Sequence, residues 1–253
     1  MRIDRLTVAI RPRKPWEAAD LGVRLLQDSR TAVMRLWCAL MIPLVAALVW
    51  LEHSTGRLIG LFVLWWLKPL LDYAVLWVLS RAVFGEKVTL GASLAAIPGF
   101  FGKGLLGALT LRRFSLSRAY VLPVRLLEDL TGPAQDERIR LMRHQQTGRA
   151  RWLIQIYMAA EMSVFFGLLS LLVWMSPAFQ DIKVVSDFLE AQAGDWKRDV
   201  LVLIYGLTIT LVEPFYVAAG FMLYLNRRTD LEAWDIEIAF RRLAERISPA
   251  GRD

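Results

Sequence analysis

Residues 200–225 read VLVLIYGLTITLVEPFYVAAGFMLYL, and residues 226–232 continue NRRTDLE. At ~1.5 Å per residue, the apolar run Val200 to Leu225 is long enough to cross a hydrocarbon core of ~30 Å as a helix. Glu213-Pro214 falls near its middle, so the helix carries an acid beside a break. Asn226-Arg227-Arg228 ends the run with the positive charge that marks a cytoplasmic flank. This stretch predicts an all-α integral membrane protein, with about four transmembrane helices plus amphipathic interfacial or re-entrant and cytoplasmic helices.

Beyond the run, Thr229-Asp230-Leu231-Glu232 has the form of a capping box, which predicts a new helix starting at Thr229. At 100° per residue this cytoplasmic helix carries two apolar stripes. Ile236, Phe240, Leu243 and Ile247 form the wider one, and Leu231, Trp234 and Ile238 a narrower one nearly opposite. A helix lying on lipid needs one stripe. The second, Leu231, Trp234 and Ile238, is therefore the candidate partner-docking surface.

Upstream, Trp152 to Met175 is a further span with Glu161 near its middle. The outer loop between the two, residues 176–199, is net acidic and consistent with translocation. Within it Ile182, Val185, Phe188 and Leu189 could form a short amphipathic helix. Met34 to Leu51 and Leu58 to Phe84 make the first hairpin, with Pro43 and Lys68-Pro69 inside the spans. His53, in the turn between them, has no ligand cluster nearby and reads as a solvated loop residue. Leu90 to Leu111 is apolar but holds Pro98, Lys103 and the glycines Gly99, Gly102, Gly104 and Gly107, which suit close helix or lipid packing. The arginines of residues 112–151 give the strongest positive-inside signal in the chain. With both flanks inside, Leu90–Leu111 is expected to lie at the inner interface or to re-enter. The alternative is a second crossing through Ala119–Leu130, which Arg125, Glu128 and Asp129 make a poor span.

The chain thus divides into a basic amphipathic cytoplasmic segment (1–33), a first transmembrane hairpin (34–84), an interfacial or re-entrant helix with a basic cytoplasmic segment (85–151), a second hairpin (152–225) and a cytoplasmic C-terminal helix (226–253). From Pro15, the apolar positions Trp16, Ala19, Val23 and Leu26 predict a helix lying on the inner membrane face. No cleavable signal sequence is visible in the charged first segment. The expected location is the bacterial inner membrane, with both termini cytoplasmic.

Composition agrees with this class. Hydrophobic residues reach 56% while charged residues remain at 22%, and several of the 10 tryptophans flank apolar runs, where the water–lipid boundary favours them. The net charge of +7 is concentrated beside the spans, so it reads as topology signal and anionic-lipid contact rather than as nucleic-acid binding. The single cysteine, Cys38, excludes an intramolecular disulfide. There is no phosphate loop, paired metal-ligand spacing, nucleophile elbow or HExxH helix, so neither an enzyme nor a cofactor is expected.

The informative constellation is Lys68, Asp72, Glu161 and Glu213. Lys68 and Asp72 are four residues apart on one helix face and able to pair. Helical rise places Lys68, Glu161 and Glu213 at similar depth. An isolated charge in lipid costs at least ~2.5–3.5 kcal/mol, so mutual pairing is expected. Three acids against one lysine leave an imbalance, to be met by protonation, by Arg35 or by a cation. The network is either an ionic lock that sets helix registry or a proton or ion relay at broken helices.

Four stretches resemble a known family: residues 11–22 (RPRKPWEAADLG), 79–86 (LSRAVFGE), 122–128 (LPVRLLE), and 213–220 (EPFYVAAG) running on through 226–237 (NRRTDLEAWDIE). They are similar to a family of uncharacterised proteobacterial polytopic inner-membrane proteins, most closely at the C-terminal motif. A looser similarity points to the membrane domains of glycerophosphodiester phosphodiesterases. Members are encoded near MoxR-type AAA+ ATPases and near von Willebrand-type, transglutaminase-like and sporulation-stage-II-M-like proteins. The resemblance implies a subunit of an envelope assembly system and brings no catalytic residue. The leading expectation is a non-enzymatic scaffold whose partners are an anionic-lipid bilayer and other membrane or cytoplasmic proteins, a MoxR-type ATPase system among them. The alternative is a small transporter or ion conductor using the buried charges.

Overall fold

The computed structural model describes residues 13–55, 59–115, 117–144, 147–175 and 196–232. Its elements are α1 (Pro15–Asp28), α2 (Arg30–Thr55), α3 (Ile59–Ala82), α4 (Leu90–Ala96), α5 (Gly99–Gly102), α6 (Leu105–Leu109), a 3-10 turn (Leu111–Phe114), α7 (Arg118–Leu127), α8 (Gly132–Arg143), α9 (Thr147–Met175) and α10 (Trp196–Glu232). No strand occurs among the described residues. The 4 helices α2, α3, α9 and α10 are long and apolar enough to cross a membrane.

The opening stretch is the axis of the fold. In α10, 61% of the apolar window is buried inside the protein, against 12% in α9. Small residues explain how so many helices reach α10. A Cβ on Gly22 of α1 would sit 2.6 Å from the Ala218 carbonyl oxygen, and one on Gly206 would sit 2.9 Å from Val45 of α2. A Cβ on Gly220 would meet the Ala119 Cβ of α7 at 2.5 Å. Gly206, Ala218 and Gly220 therefore let α2, α1 and α7 approach to backbone contact, as small residues do between membrane helices. The lost side chains are replaced by close packing around Trp37, Tyr73, Phe221 and Tyr224, all fully buried.

The helix starting at Pro15 exists, but it lies against α10 rather than alone on a membrane face. Ala18, Gly22, Leu25 and Leu26 are its buried side. Asn226 fastens the chain just before it: its Oδ1 accepts from the Arg13 backbone N–H at 3.0 Å, and its Nδ2 donates to the Arg13 carbonyl at 3.1 Å. Of the expected stripe Trp16, Ala19, Val23 and Leu26 only Leu26 is on the buried side, and Trp16 is exposed, so the helix was foreseen but the face it packs with was not.

The first hairpin is closed by a buried acid. Glu52 accepts from the Gly60 backbone N–H at 2.8 Å, satisfying one of the donors left open at the start of α3. His53 is in the last turn of α2 and pairs with Asp199 at 2.8 Å, so it is a tie between hairpins rather than a free loop residue.

Leu90–Leu111 is not one helix. It breaks at Pro98 and at Gly104, whose φ of +85° suits glycine, into pieces of 7, 4 and 5 residues. None is long enough to cross, and α7 at 10 residues is also too short for the alternative second crossing. The capping box is not used: α10 runs on through Glu232, and the Thr229 hydroxyl donates back to the Leu225 carbonyl at 2.9 Å in the helix interior. Asp230 and Leu231 are helical as well, because Arg228 and Glu232 pair along the same face. Trp234 and Ile238, the amphipathic segment of the outer loop and the wider C-terminal stripe lie outside the described residues. Leu231 is exposed.

Candidate functional site

Lys68, Glu161 and Glu213 meet. Lys68 Nζ lies 2.7 Å from Glu161 Oε2 and 2.6 Å from Glu213 Oε2. Pro69 and Pro214 stand beside two of these groups, so the chemistry sits where α3 and α10 lose a backbone donor. Glu161 projects from α9 and takes a second hydrogen bond from the Tyr205 hydroxyl at 2.9 Å.

The fourth expected member, Asp72, is present but is not the direct partner of Lys68. It lies 3.1 Å from Arg118 Nη2, and the same nitrogen donates to Glu213 Oε1 at 3.0 Å. The charged side chains therefore form a sequence of alternating sign: Glu161, Lys68, Glu213, Arg118, Asp72. It joins α9, α3, α10 and α7, and all five residues are buried or nearly so. Arg35 takes no part and lies on an exposed face of α2.

Arg118 is what sequence reasoning missed. It opens α7, a short helix within the arginine-rich segment, where each arginine looked like a topology signal. The excess of acid over base was the available clue, since it demanded a second cation. Burial opposes the charge on Arg118, but Asp72, with Tyr216 and Glu213, outweighs it and raises the pKa above the ordinary guanidinium value. The base is anchored by its own helix: the Ala119 backbone N–H donates to the Tyr216 hydroxyl at 3.2 Å, and the Arg118 guanidinium lies 5.6 Å from the Tyr216 ring centroid.

A second arginine of the same segment repairs the break at Pro69. Proline has no N–H, so the carbonyl of Trp65, four residues earlier, loses its helical donor. Arg113 supplies two: Nη2 donates to the Trp65 carbonyl and Nη1 to the Trp66 carbonyl at 2.8 Å. Its guanidinium also stacks 3.6 Å over the Trp65 ring. Burial and the neighbouring Arg118 lower its pKa to about 10, which leaves it charged at neutral pH.

Between α3, α9 and α10 a cavity of about 240 Å³ adjoins the network. Its lining includes the polar Lys68, Arg118 and Glu161 and the apolar Trp65, Met158 and Met162. Among the described residues no group of 3 or more His, Cys, Asp or Glu side chains could hold a metal ion.

A second ionic cluster joins the end of α10 to α7 and α8. Arg138 makes a forked pair with Glu128, at 2.7 and 3.1 Å, and also pairs with Glu232. Glu232 closes on Arg228 at 2.9 Å, one turn earlier, and the Tyr224 hydroxyl donates to Glu128 at 2.7 Å. The hydrogen bonds that Arg138 donates to Glu128 raise its pKa most, burial opposes them, and the bond to Glu232 adds to the rise. Glu128 of the 122–128 stretch and Arg228 and Glu232 of the stretch that starts at residue 226 thus meet here, while Glu213 of the EPFYVAAG stretch serves the first cluster. Comparison of the chain with family models, curated proteins and solved structures finds no match, so both clusters are interpreted from their own geometry.

Proposed function

We propose that this chain is a non-enzymatic scaffold of the bacterial inner membrane, with both termini cytoplasmic, in which the chain of alternating charge is an ionic lock. The observation that carries this reading is closure: each charged side chain of the first cluster is held by an opposite charge from a different helix. A buried pair of this kind fixes registry more than it adds stability. The second cluster supports the same role, because it continues the rigid frame from α10 to α7 and α8. The resemblance at residues 213–237 suggests the setting, an envelope assembly linked to a MoxR-type AAA+ ATPase. Leu231 begins the docking stripe expected to meet a partner there.

The cavity beside Lys68 favours a second reading, a small transporter or ion conductor. The two separate in liposomes that contain the purified chain alone. A scaffold gives proton and cation flux no higher than empty vesicles. Flux that Glu213→Gln abolishes would overturn the scaffold reading.

The topology is tested in intact cells with a membrane-impermeant thiol reagent on a Cys38→Ser background. Thr55→Cys, at the exposed end of α2, should react from outside, whereas Glu137→Cys, on exposed α8, should react only after lysis. Labelling of Glu137→Cys from outside would invert the orientation.

A further inference from the structure

Arg112 and Arg125 of the interfacial segment belong to neither cluster. A methyl group placed on Gly104 would lie 3.8 Å from Arg112 Nη1 and 4.0 Å from Arg125 Nη1, with the Tyr73 hydroxyl at 3.9 Å. Two guanidinium groups thus converge on one point, beside a left-handed glycine that leaves the space open. Gly107 contributes as well: a Cβ there would be 3.3 Å from Arg112 Nη1 and 3.5 Å from its Cδ, so the arginine lies close over α6 at a position without a side chain.

Among the described residues neither Arg112 nor Arg125 has an ion-pair partner, and Arg125 reaches only the neutral Gln135 Oε1, at 3.5 Å. Lys103 nearby is already occupied by Asp129 and the Leu126 carbonyl, and the Tyr73 hydroxyl donates to the Lys103 carbonyl. Burial, Arg112 and Arg143 lower the pKa of Arg125, with Tyr73 and Asp136 opposing them. Two like charges held together, Arg112 exposed and Arg125 half-buried, call for an anion between them. Guanidinium forks match phosphate oxygens in shape and charge.

We propose that Arg112 and Arg125, converging at Gly104, bind a phosphate group, and that its main source is the headgroup of a phospholipid. The surroundings support that source. Phe101 and Leu106, on the same broken segment as Gly104, are 51% and 60% exposed and offer apolar surface for acyl chains. The site rests on the membrane placement of the chain and not on its scaffold role, so ion flux in liposomes would leave it standing.

The full chain, purified in detergent and delipidated, is followed by thermal unfolding and native mass spectrometry. Phosphatidylglycerol should raise the Tm and be retained in the gas phase, whereas diacylglycerol, which lacks the phosphate, should do neither. Arg112→Gln/Arg125→Gln should weaken retention by about tenfold or more, as the loss of one or two charge-assisted bonds implies. Gly107→Val should act in the same direction by displacing Arg112. Arg24→Gln, which removes an exposed charge from α1, should change nothing. Arg112 is exposed, so Arg112→Gln alone carries the test if the double variant does not fold. If inorganic phosphate alone reproduces the Tm rise and the double variant abolishes it, the site takes soluble phosphate and the lipid source is wrong. Undiminished phosphatidylglycerol retention in the double variant, or equal loss in Arg24→Gln, overturns the site.

Discussion

The two ionic clusters of α10 hold the same kinds of group in different surroundings. The Glu213 cluster draws Lys68, Asp72, Arg118 and Glu161 from three other helices, and its side chains are between 1% and 13% exposed. The Glu232 cluster uses Arg138, Glu128 and Arg228, with side chains up to 28% exposed and a forked arginine pair at its centre. In the first, desolvation is large and every member depends on its neighbours. In the second, water and salt share the load. The comparison teaches that similar distances do not imply similar energies: the first cluster is costly to disturb, the second cheap.

The largest effect is expected from Lys68→Met. Removing one member of a buried pair leaves an uncompensated charge, at a cost of about 3–5 kcal/mol. The geometry makes the rescue unequal. Without Lys68, Glu213 retains Arg118, while Glu161 retains only the Tyr205 hydroxyl. Lys68→Met/Glu161→Gln should therefore recover more thermal stability than Lys68→Met/Glu213→Gln. Additive losses across the set would mean that the side chains do not act as one network.

Gly220→Ala comes next, because it strikes both clusters together. Arg118 opens α7 and Glu128 follows its end, so the seating of α7 on α10 positions both. Overpacking of this kind costs about 1–3 kcal/mol. Ala119→Gly in the same chain should restore much of the loss, as measured by thermal unfolding. A Gly220→Ala chain as stable as the parent would show that α7 does not lie this close to α10.

The smallest effect is expected from Arg138→Gln, at about 1–2 kcal/mol for hydrogen bonds to partly exposed carboxylates. Its penalty should shrink in about 1 M salt, where the screening length is ~3 Å, whereas the Lys68→Met penalty should not. Equal salt sensitivity in the two variants would erase the distinction between the clusters.

The sequence disclosed the long helices and much of the first cluster, for different reasons. Apolar runs report spans directly, and helical rise alone places Lys68, Glu161 and Glu213 at one depth. Asp72 was right as a member and wrong as to partner, because an i,i+4 spacing shows what can pair and not what competes. Arg118 and Arg113 were hidden by company: among many arginines, nothing local distinguishes one that enters the bundle. The capping box at Thr229 failed because Arg138, far away in sequence, pairs with Glu232 and holds the helix through that point. The glycines at 104 and 107 looked like sites for helix contact, while the structure fills the space above them with guanidinium groups.

Because α10 is the common partner of α1, α2, α3, α7, α8 and α9, the order of synthesis matters. Every other described helix leaves the ribosome before the one that binds it. Between Lys68 and Glu213 translation takes on the order of ten seconds at typical rates. Throughout that interval Lys68 and Asp72 have neither Glu213 nor a finished groove to enter. A chain that stalls before Glu213 can still bring Lys68 to Glu161 and Arg118 to Asp72, but it lacks the carboxylate that links these two pairs into one network.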